Sequence, residues 1–266
     1  MGKFPVELPR EAGAHTLITG PGRCLPFVEF MLHHIFIINV LNVPLRAPAV
    51  LARSAASLDL LSAGRLDLAL GAGAFWDAIE AMGGRRLTPG QSIDALEEAI
   101  TIIAIWATDE RGGVRVNGTY YQVKGAKRGP APAHDIGIWI GAYKPRILKL
   151  TGRVADGWLP SLGYLPGGLA SLEEMNKYID EGAATAGRDP SSVRRFLNIS
   201  GQFARSGRSL LNGPPQQWAE ELAGITLEYG VTGFILAADD APAIERFAAE
   251  VAPATRELVA AECARR

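Results

Sequence analysis

The chain is poor in cysteine, in net charge and in long apolar runs. Its two cysteines, Cys24 and Cys263, are too few for a disulfide framework, which is typical of a reducing compartment. The formal net charge of −1 leaves no basic surface for nucleic acid. No apolar run reaches the roughly 20 residues that a membrane-spanning helix needs, and the N-terminus lacks the pattern of a signal peptide. We therefore expect a cytoplasmic protein that binds neither nucleic acid nor a membrane, and we predict no metal site.

What the chain does contain is a regular alternation of short apolar strands and amphipathic helices. Such alternation predicts an α/β fold with a parallel sheet. A length of 266 residues also suits one (β/α)8, TIM-type barrel, which takes about 250 residues. We predict a single barrel domain over residues 1–266, with an atypical N-terminal segment at 1–35 and a hairpin insertion at 110–134. The strands are expected to begin near Phe36, Arg65, Ile136, Gly157, Phe196 and Val231.

The segment 65–77, Arg-Leu-Asp-Leu-Ala-Leu-Gly-Ala-Gly-Ala-Phe-Trp-Asp, joins a strand to a turn of small residues. Its leucines recur at every second position, which is the period of a strand. Gly71 and Gly73 follow, and because glycine has no Cβ the backbone there can approach a ligand or a neighbouring segment closely. The dinucleotide fingerprint needs a third glycine where this chain has Trp76. The sequence leaves open whether this turn binds a ligand or serves only for packing.

The segment Pro48–Leu61 is predicted to be an amphipathic helix. Proline suits the first turn of a helix, where its missing N–H has no partner to lose. Gly64 is expected to end the helix at the C′ position. The face turned to the core is predicted to carry Leu51, Ala55, Leu58 and Leu61.

Two further helices begin with the sequence pattern of a capping box. Thr88 and Gln91 stand three residues apart before an apolar stripe, and so do Ser171 and Glu174. In such a box the hydroxyl and the longer side chain each satisfy a backbone N–H at the helix start. Both pairs therefore predict a helix N-terminus.

A hairpin interrupts the alternation between two of these units. The segment 114–123 carries Asn117-Gly118 between β-forming residues, which is a strong short-range hairpin signal. Tyr120 and Tyr121 follow the turn. Long loops of barrel enzymes often shape the active site, so either the two tyrosines cover a pocket or the hairpin only shields the barrel.

Several blocks of the sequence, spanning about residues 40–247, together resemble the luciferase-like class of flavin- and deazaflavin-dependent oxidoreductases. The resemblance implies a TIM-barrel-like fold that binds FMN or an 8-hydroxy-5-deazaflavin coenzyme at the C-terminal ends of its strands. It implies two-electron chemistry on a small organic substrate, either monooxygenation with reduced FMN or hydride transfer with the deazaflavin. The blocks are residues 41–77 together with Ile138–Ala142, Gly152–Ser161, Ala186–Pro190 and Gly230–Leu236.

The resemblance also implies a set of cofactor-binding residues. The turn formed by Gly141, Ala142 and Tyr143 is expected to bind the cofactor's phosphate and ribityl chain, with Ser161 beside it. This turn lies before a helix N-terminus, where free N–H groups and the helix dipole favour an anion. Asp77 matches a polar position that faces the ring in some relatives, although Asp is also a common helix N-cap. Val40, Gly71 and Gly73 complete the set.

The chain also departs from the family pattern. Ala72 stands where FMN-dependent luciferases carry an arginine beside the phosphate, which favours the deazaflavin. A non-prolyl cis peptide is usual in the family near the position of residues 38–40, where this chain has bulkier residues.

The strongest departure lies in the N-terminal segment. If Lys3–Leu8 and Thr16–Thr19 are the first two strands, about seven residues separate them, while a parallel crossover needs a dozen or more. Gly20-Pro21 stands where an acid and a histidine are usual in the family, and His15, His33 and His34 are candidates by residue type only. We therefore predict an incomplete first βα unit and name no catalytic residue.

Two functions remain open from the sequence. One is a flavin- or deazaflavin-dependent oxidoreductase, expected as a homodimer because of apolar residues near 27–38. The other is a catalytically disabled barrel that serves as a binding or partner subunit, or is a truncated product.

Overall fold

The computed structural model describes residues 18–19, 36–107, 112–207 and 209–265. The strands are β1 (Ile18–Thr19), β2 (Phe36–Asn42), β3 (Leu66–Gly71), β4 (Gly113–Asn117), β5 (Gln122–Lys127), β6 (Ile138–Ile140), β7 (Gly157–Trp158), β8 (Arg194–Ile199), β9 (Gln202–Phe203), β10 (Asn212–Gly213) and β11 (Gly233–Leu236). The helices are α1 (Pro48–Leu61), α2 (Trp76–Ala81), α3 (Pro89–Ala107), α4 (Pro145–Val154), α5 (Ser171–Thr185), α6 (Pro215–Tyr229), α7 (Ala241–Arg246) and α8 (Ala252–Arg265), with a π-helical turn at Phe247–Val251 between the last two.

The chain divides into two compact units, one of residues 27–196 and one of residues 1–26 and 197–266. The first unit contains a parallel sheet in which β2 pairs with β3, β3 with β6, β6 with β7, and β7 with β8. Each parallel pair needs a crossover connection, and helices α1, α3 with the hairpin, α4 and α5 supply these connections. Five of the six predicted strands are therefore present and parallel.

Strand β3 is buried at all six of its positions. A parallel sheet with helices on its faces requires such a strand, because neither face meets water. Only Asp67 interrupts its apolar residues. Its carboxylate accepts hydrogen bonds from Gly137 N and from Trp139 Nε1, both at 2.8 Å.

Helix α1 has the predicted bounds but a different end and a different buried face. Ala63 occupies the left-handed C′ position, with φ 57°, and Gly64 is the next residue, C″. The Gly64 N–H bonds to Asp59 O and the Ala63 N–H to Leu60 O, which is the Schellman pattern. The prediction for Gly64 was thus wrong by one position. The buried residues are Pro48, Leu51, Ala52, Ala55, Ala56 and Asp59, whereas the expected core residues Leu58 and Leu61 are exposed.

One of the two predicted capping boxes is confirmed. Thr88 N donates to Gln91 Oε1 at 3.0 Å, and Gln91 N donates to Thr88 Oγ1 at 3.3 Å. The box at Ser171 was wrong, because the Ser171 hydroxyl donates backwards to Gly168 O at 2.8 Å. A 3₁₀ turn at Gly168–Ala170 runs directly into α5, so the serine meets a carbonyl of that turn instead of capping the helix.

The predicted hairpin forms with a four-residue loop in place of a two-residue turn. Asn117 pairs with Gln122, and the Gly118 N–H bonds to Tyr121 O at 3.0 Å. The carboxylate of Glu98 on α3 accepts the N–H groups of Thr119, Tyr120 and Tyr121 at 2.8 to 3.1 Å. Both tyrosines therefore lie in the loop, against the middle of a helix, which favours the shielding role.

The second unit contains the strands β1, β9, β10 and β11. β1 pairs antiparallel with β11, with Ile18 opposite Phe234, whereas a strand of the βα alternation would pair in parallel. The strand predicted to begin near Phe196 begins at Arg194 as β8 and ends at Ile199, and a separate short strand, β9, begins at Gln202. The core of this unit includes the ring of Trp218, which contacts the rings of Phe203 and Phe247.

Several predictions fall on residues outside the described ranges, namely the strand at Lys3–Leu8 and the residues Cys24, His15, His33 and His34. Over the ranges that are described, no helix is long and apolar enough to cross a membrane, and no group of acidic, histidine or cysteine side chains is arranged to hold a metal ion.

Candidate cofactor site

The C-terminal ends of β2, β3 and β6 bring three of the predicted site residues together. These strands are parallel neighbours, so their ends share one edge of the sheet. A Cβ on Gly71 would lie 3.3 Å from Cγ2 of Val40, and a Cβ on Gly141 would lie 3.5 Å from Cγ1 of the same side chain. Val40 is thus flanked by two positions without side chains while remaining 38% exposed. The result is a cradle of backbone around one apolar side chain.

The peptide bond between Asn39 and Val40 is cis. This is the position at which the resemblance to the luciferase-like class implies a non-prolyl cis bond.

The turn after β6 leads into α4 and presents backbone N–H groups. In the described part of the chain, the N–H groups of Ala142 and Tyr143 donate to no protein acceptor, while that of Gly141 bonds to Leu70 O at 3.3 Å. The first N–H groups of α4 have no partner within the helix. Lys144 precedes the helix, is exposed and pairs with no carboxylate among the described residues. Ala142 is only 1% exposed, so the turn offers the Tyr143 N–H and the Lys144 cation to an anion.

Two hydrogen bonds hold this turn against the segment that follows β7. Trp158 Nε1 donates to Ala142 O at 2.9 Å, and Ser161 N donates to the Tyr143 hydroxyl at 2.8 Å. The Tyr143 ring also meets the Tyr164 ring edge-on, with centroids 6.3 Å apart. Tyr143 and Ser161 are thus in direct contact, which fits their prediction as neighbours in one phosphate site. The Ser161 N–H itself is donated to the Tyr143 hydroxyl.

Gly73 and Asp77 occupy a different part of the same edge. A Cβ on Gly73 would lie 2.8 Å from the Trp76 ring and 3.1 Å from Pro44, and its φ is +109°. Glycine is needed there for packing and for its backbone angle, so at Gly73 the packing interpretation explains the residue by itself.

Asp77 lies in the first turn of α2 and is not its N-cap, which is Phe75. The carboxylate is exposed and forms an ion pair with Arg86, which also bonds to Glu80 at 2.6 Å. These two carboxylates, Glu80 first, raise the pKa of the arginine. Asp77 is therefore engaged with a cation at the surface.

The structure adds three residues to this edge that the sequence did not single out. The Asn42 side-chain oxygen lies 3.8 Å from the Cβ position of Gly71. Phe75 is 78% exposed and has a left-handed backbone, with φ 53°. Tyr164 is 70% exposed. Asn42 could have been found from the sequence, because a polar residue at the end of a predicted strand is a candidate site residue. The exposure of the two aromatic rings has no sequence signature.

Residues 35–206 match the family model of luciferase-like monooxygenases. The chain belongs to the luciferase-like monooxygenase family. The match covers the parallel sheet of the first unit and every predicted cofactor-binding residue.

Curated relatives of this luciferase-like protein include deazaflavin-dependent enzymes. It is 28% identical over 231 residues to an F420-dependent glucose-6-phosphate dehydrogenase of Microbacterium testaceum (strain StLB037), an alignment that covers 80% of this chain and 67% of that protein. It is 34% identical over 155 residues to a phthiodiolone/phenolphthiodiolone dimycocerosates ketoreductase of Mycobacterium kansasii, covering 56% of this chain and 39% of that protein. The chain therefore spans well under half of the length of the second relative.

Solved structures share the fold. The F420-dependent tetrahydromethanopterin reductase of Methanopyrus kandleri superposes with a TM-score of 0.70 at 19% identity, over 84% of each chain. A long-chain alkane monooxygenase superposes with a TM-score of 0.69 at 15% identity, over 86% of this chain and 70% of that one. These matches confirm the predicted luciferase-like, TIM-barrel type of fold.

At the level of the family, the prediction of a flavin- or deazaflavin-dependent oxidoreductase is confirmed, and no comparison favours a disabled barrel. The roles of the individual site residues stay predictions.

Proposed function

We propose that this protein is an oxidoreductase that binds an 8-hydroxy-5-deazaflavin coenzyme at the C-terminal edge of β2, β3, β6 and β7. The observation that carries the proposal is the cradle at this edge, where Gly71 and Gly141 leave the Val40 side chain uncovered. A flat ring system can lie against such a surface, because neither glycine carries a Cβ that would cover the exposed Val40 side chain.

The phosphate of the coenzyme would be held by the turn after β6. The Tyr143 N–H is available as a donor, and the start of α4 adds the positive end of its dipole. Ala142 is buried, so it shapes the turn without donating to the phosphate. Lys144 supplies a full positive charge. Ser161 would stand beside the phosphate, since its backbone is fastened to Tyr143.

When bound, the coenzyme would supply two-electron chemistry, as the acceptor or donor of a hydride. The residues of the chain would hold the ring and keep water from its face, which hydride transfer requires. The exposed part of Val40 contributes apolar surface for this purpose.

Two features favour the deazaflavin over FMN. Ala72 supplies no cation where FMN-dependent luciferases carry an arginine, and two of the relatives described above are F420-dependent. FMN remains the second candidate because the alkane monooxygenase has the same fold. The proposal also includes a single domain, a cytoplasmic homodimer, a small organic substrate and no nucleic acid partner.

The proposal is tested by comparing two substitutions of Gly141. In Gly141→Ala, the new methyl group meets only ordinary contacts, at 3.5 Å from Val40 and 3.7 Å from Leu159 O. In Gly141→Val, two further methyl groups fill the approach to the turn. We expect the alanine variant to bind coenzyme F420 within a few-fold of wild type, and the valine variant to lose at least about tenfold in affinity, or about 1.4 kcal/mol.

The measurement is a titration of the full chain followed by absorbance, with circular dichroism to verify folding and a parallel titration with FMN. Equal affinity of the valine variant and the wild type would contradict the proposed site. Tight binding of FMN with no binding of F420 would favour the second candidate.

A further inference from the structure

Tyr143 brings two different hydrogen-bonding groups to the turn after β6. Its backbone N–H donates to no protein acceptor in the described part of the chain. Its side chain reaches from this turn to the segment that follows β7, where the hydroxyl oxygen accepts the Ser161 N–H at 2.8 Å. The hydroxyl therefore stands between two loops of the edge at which the coenzyme is proposed to bind.

The hydrogen bond from Ser161 determines which role is left to the hydroxyl. A phenolic hydroxyl can accept one hydrogen bond and donate another at the same time. The Tyr143 oxygen already accepts a proton, so its own O–H is directed elsewhere, and within the described ranges it donates to no protein acceptor. A hydroxyl that accepts a hydrogen bond is polarised and becomes a better donor. The turn thus carries a polarised O–H whose donor capacity is unused by the chain.

The position of this hydroxyl is fixed by its neighbours. The Tyr143 ring meets the Tyr164 ring edge-on, with centroids 6.3 Å apart and an interplanar angle of 82°. Tyr164 N donates to Ser161 O at 3.0 Å, which closes a short 3₁₀ turn around the donor of the hydroxyl. The buried Trp158 holds Ala142 of the same turn through its Nε1, at 2.9 Å. A donor that is held in this way loses little freedom when it binds a ligand.

The charge next to Tyr143 favours an anion as the acceptor. Lys144 is exposed and forms no ion pair with a carboxylate in the described ranges. The start of α4 adds the positive end of a helix dipole. Hydrogen bonds to an ionised acceptor are the stronger ones, so a phosphate oxygen suits the free O–H better than a neutral group.

We propose that the Tyr143 hydroxyl binds the phosphate of the coenzyme directly, as the last donor in a chain from the Ser161 N–H through the Tyr143 O–H to a phosphate oxygen. This inference rests on the proposed function and assigns a role to the side chain of the turn. Ser161 then acts on the phosphate through Tyr143 and is a positioning residue. The same chain explains why the Ser161 N–H is directed to Tyr143 within a site predicted to hold an anion.

The test uses a substitution that removes one oxygen atom and a pair of ligands that differ in the phosphate. Tyr143→Phe keeps the ring and its contact with Tyr164 but has no hydroxyl. The full chain is titrated by absorbance with coenzyme F420 and, separately, with the deazaflavin riboside that ends at the ribityl hydroxyl and carries no phosphate. The matched control is Tyr164→Phe, which removes the hydroxyl of a neighbouring tyrosine that is 70% exposed. Amide hydrogen exchange of Ser161 is measured without any ligand.

We expect Tyr143→Phe to lose roughly tenfold in F420 affinity, which is the effect of one hydrogen bond to a charged group. Its affinity for the riboside should stay within about twofold of wild type, because that ligand offers no phosphate oxygen. The Ser161 amide should exchange at least about threefold faster in this variant, since its acceptor is gone. Tyr164→Phe should change none of these quantities.

Three results would overturn the inference alone, provided that wild-type protein binds F420 more tightly than the riboside. They are an unchanged or higher F420 affinity in Tyr143→Phe, an equal loss for both ligands, which would indicate structural damage, and an unchanged exchange rate of the Ser161 amide. Wild-type protein that binds the riboside as tightly as F420 would contradict the proposed phosphate site itself. Wild-type protein that binds neither ligand would overturn the proposed function together with the inference.

Discussion

At the scale of single residues, a buried and heavily hydrogen-bonded carboxylate lies at the other edge of the sheet, where the strands begin. Asp59 is fully buried near the end of α1. Its carboxylate accepts N–H groups from Leu66, Ala133 and His134 at 3.2, 2.8 and 3.1 Å, and it lies 2.8 Å from His134 Nδ1. It fastens the segment before β6 to α1 and to the start of β3.

The pKa of Asp59 follows from these contacts. Burial raises the pKa, but the hydrogen bonds from the His134 side chain, from the His134 N–H and from the Leu66 N–H outweigh burial and lower it from its ordinary value of 3.8. A depressed carboxylate pKa contributes stability that is fully present above the ordinary value. That contribution is lost as the pH falls through the lowered pKa of the folded state.

We predict that Asp59→Asn lowers the free energy of unfolding by about 3 kcal/mol near neutral pH, because an amide cannot accept all of these N–H groups. The difference from wild type should shrink as the pH falls below 3.8 and through the lowered pKa of the folded state, because the wild-type carboxylate is then protonated and uncharged like the amide. Urea unfolding at a neutral and an acidic pH measures both effects. The control is Asp94→Asn, whose exposed ion pair with Arg146 should contribute at most about 1 kcal/mol. A pH-independent difference would contradict the assigned pKa direction.

At the scale of elements, the hairpin of β4 and β5 is attached to α3 through one carboxylate. Glu98 accepts three consecutive N–H groups of the hairpin loop, and it also adds to the raised pKa of Tyr121, which arises first from burial. The neighbouring Glu97 instead pairs with Arg153 of α4 at 2.7 Å. The two glutamates thus connect α3 to different partners.

We predict that Glu98→Ala accelerates amide hydrogen exchange at residues 119–121 at least about tenfold, since an opening free energy lower by about 1.4 kcal/mol has this effect. Glu97→Ala should leave these amides unchanged. If the hairpin only shields the barrel, F420 affinity should be equal in both variants. A selective loss of F420 affinity in Glu98→Ala would favour the alternative in which Tyr120 and Tyr121 cover a pocket.

At the scale of the whole molecule, the proposed homodimer has a simple test. Helix α1 exposes Val50, Leu58, Leu60 and Leu61, which adds to the apolar residues near 27–38 on which the expectation of a dimer was based. Exposed apolar surface of this kind favours association. We predict that sedimentation velocity yields twice the mass of one chain over a wide concentration range. A strictly monomeric protein would contradict this prediction.

The sequence by itself determined the features that depend on local chemistry and on the alternation of elements. The βα order, the bounds of α1, the capping box of Thr88 and the family were all readable from it. Each depends on residues close together in the chain, or on a periodicity that burial imposes on every helix and strand. The predicted capping box at Ser171 was wrong because a preceding 3₁₀ turn, which leaves little trace in the sequence, supplied a different partner.

Only the tertiary structure decided which residues meet across the sheet edge and which apolar side chains stay exposed. Val40 lies between Gly71 and Gly141 because three strands distant in sequence end side by side. Leu58 and Leu61 face outward because the orientation of α1 on the sheet places small alanines and a buried aspartate against it. Phe75 and Tyr164 are ordinary aromatic residues in the sequence. Their exposure and the left-handed backbone of Phe75 are fixed only by long-range packing.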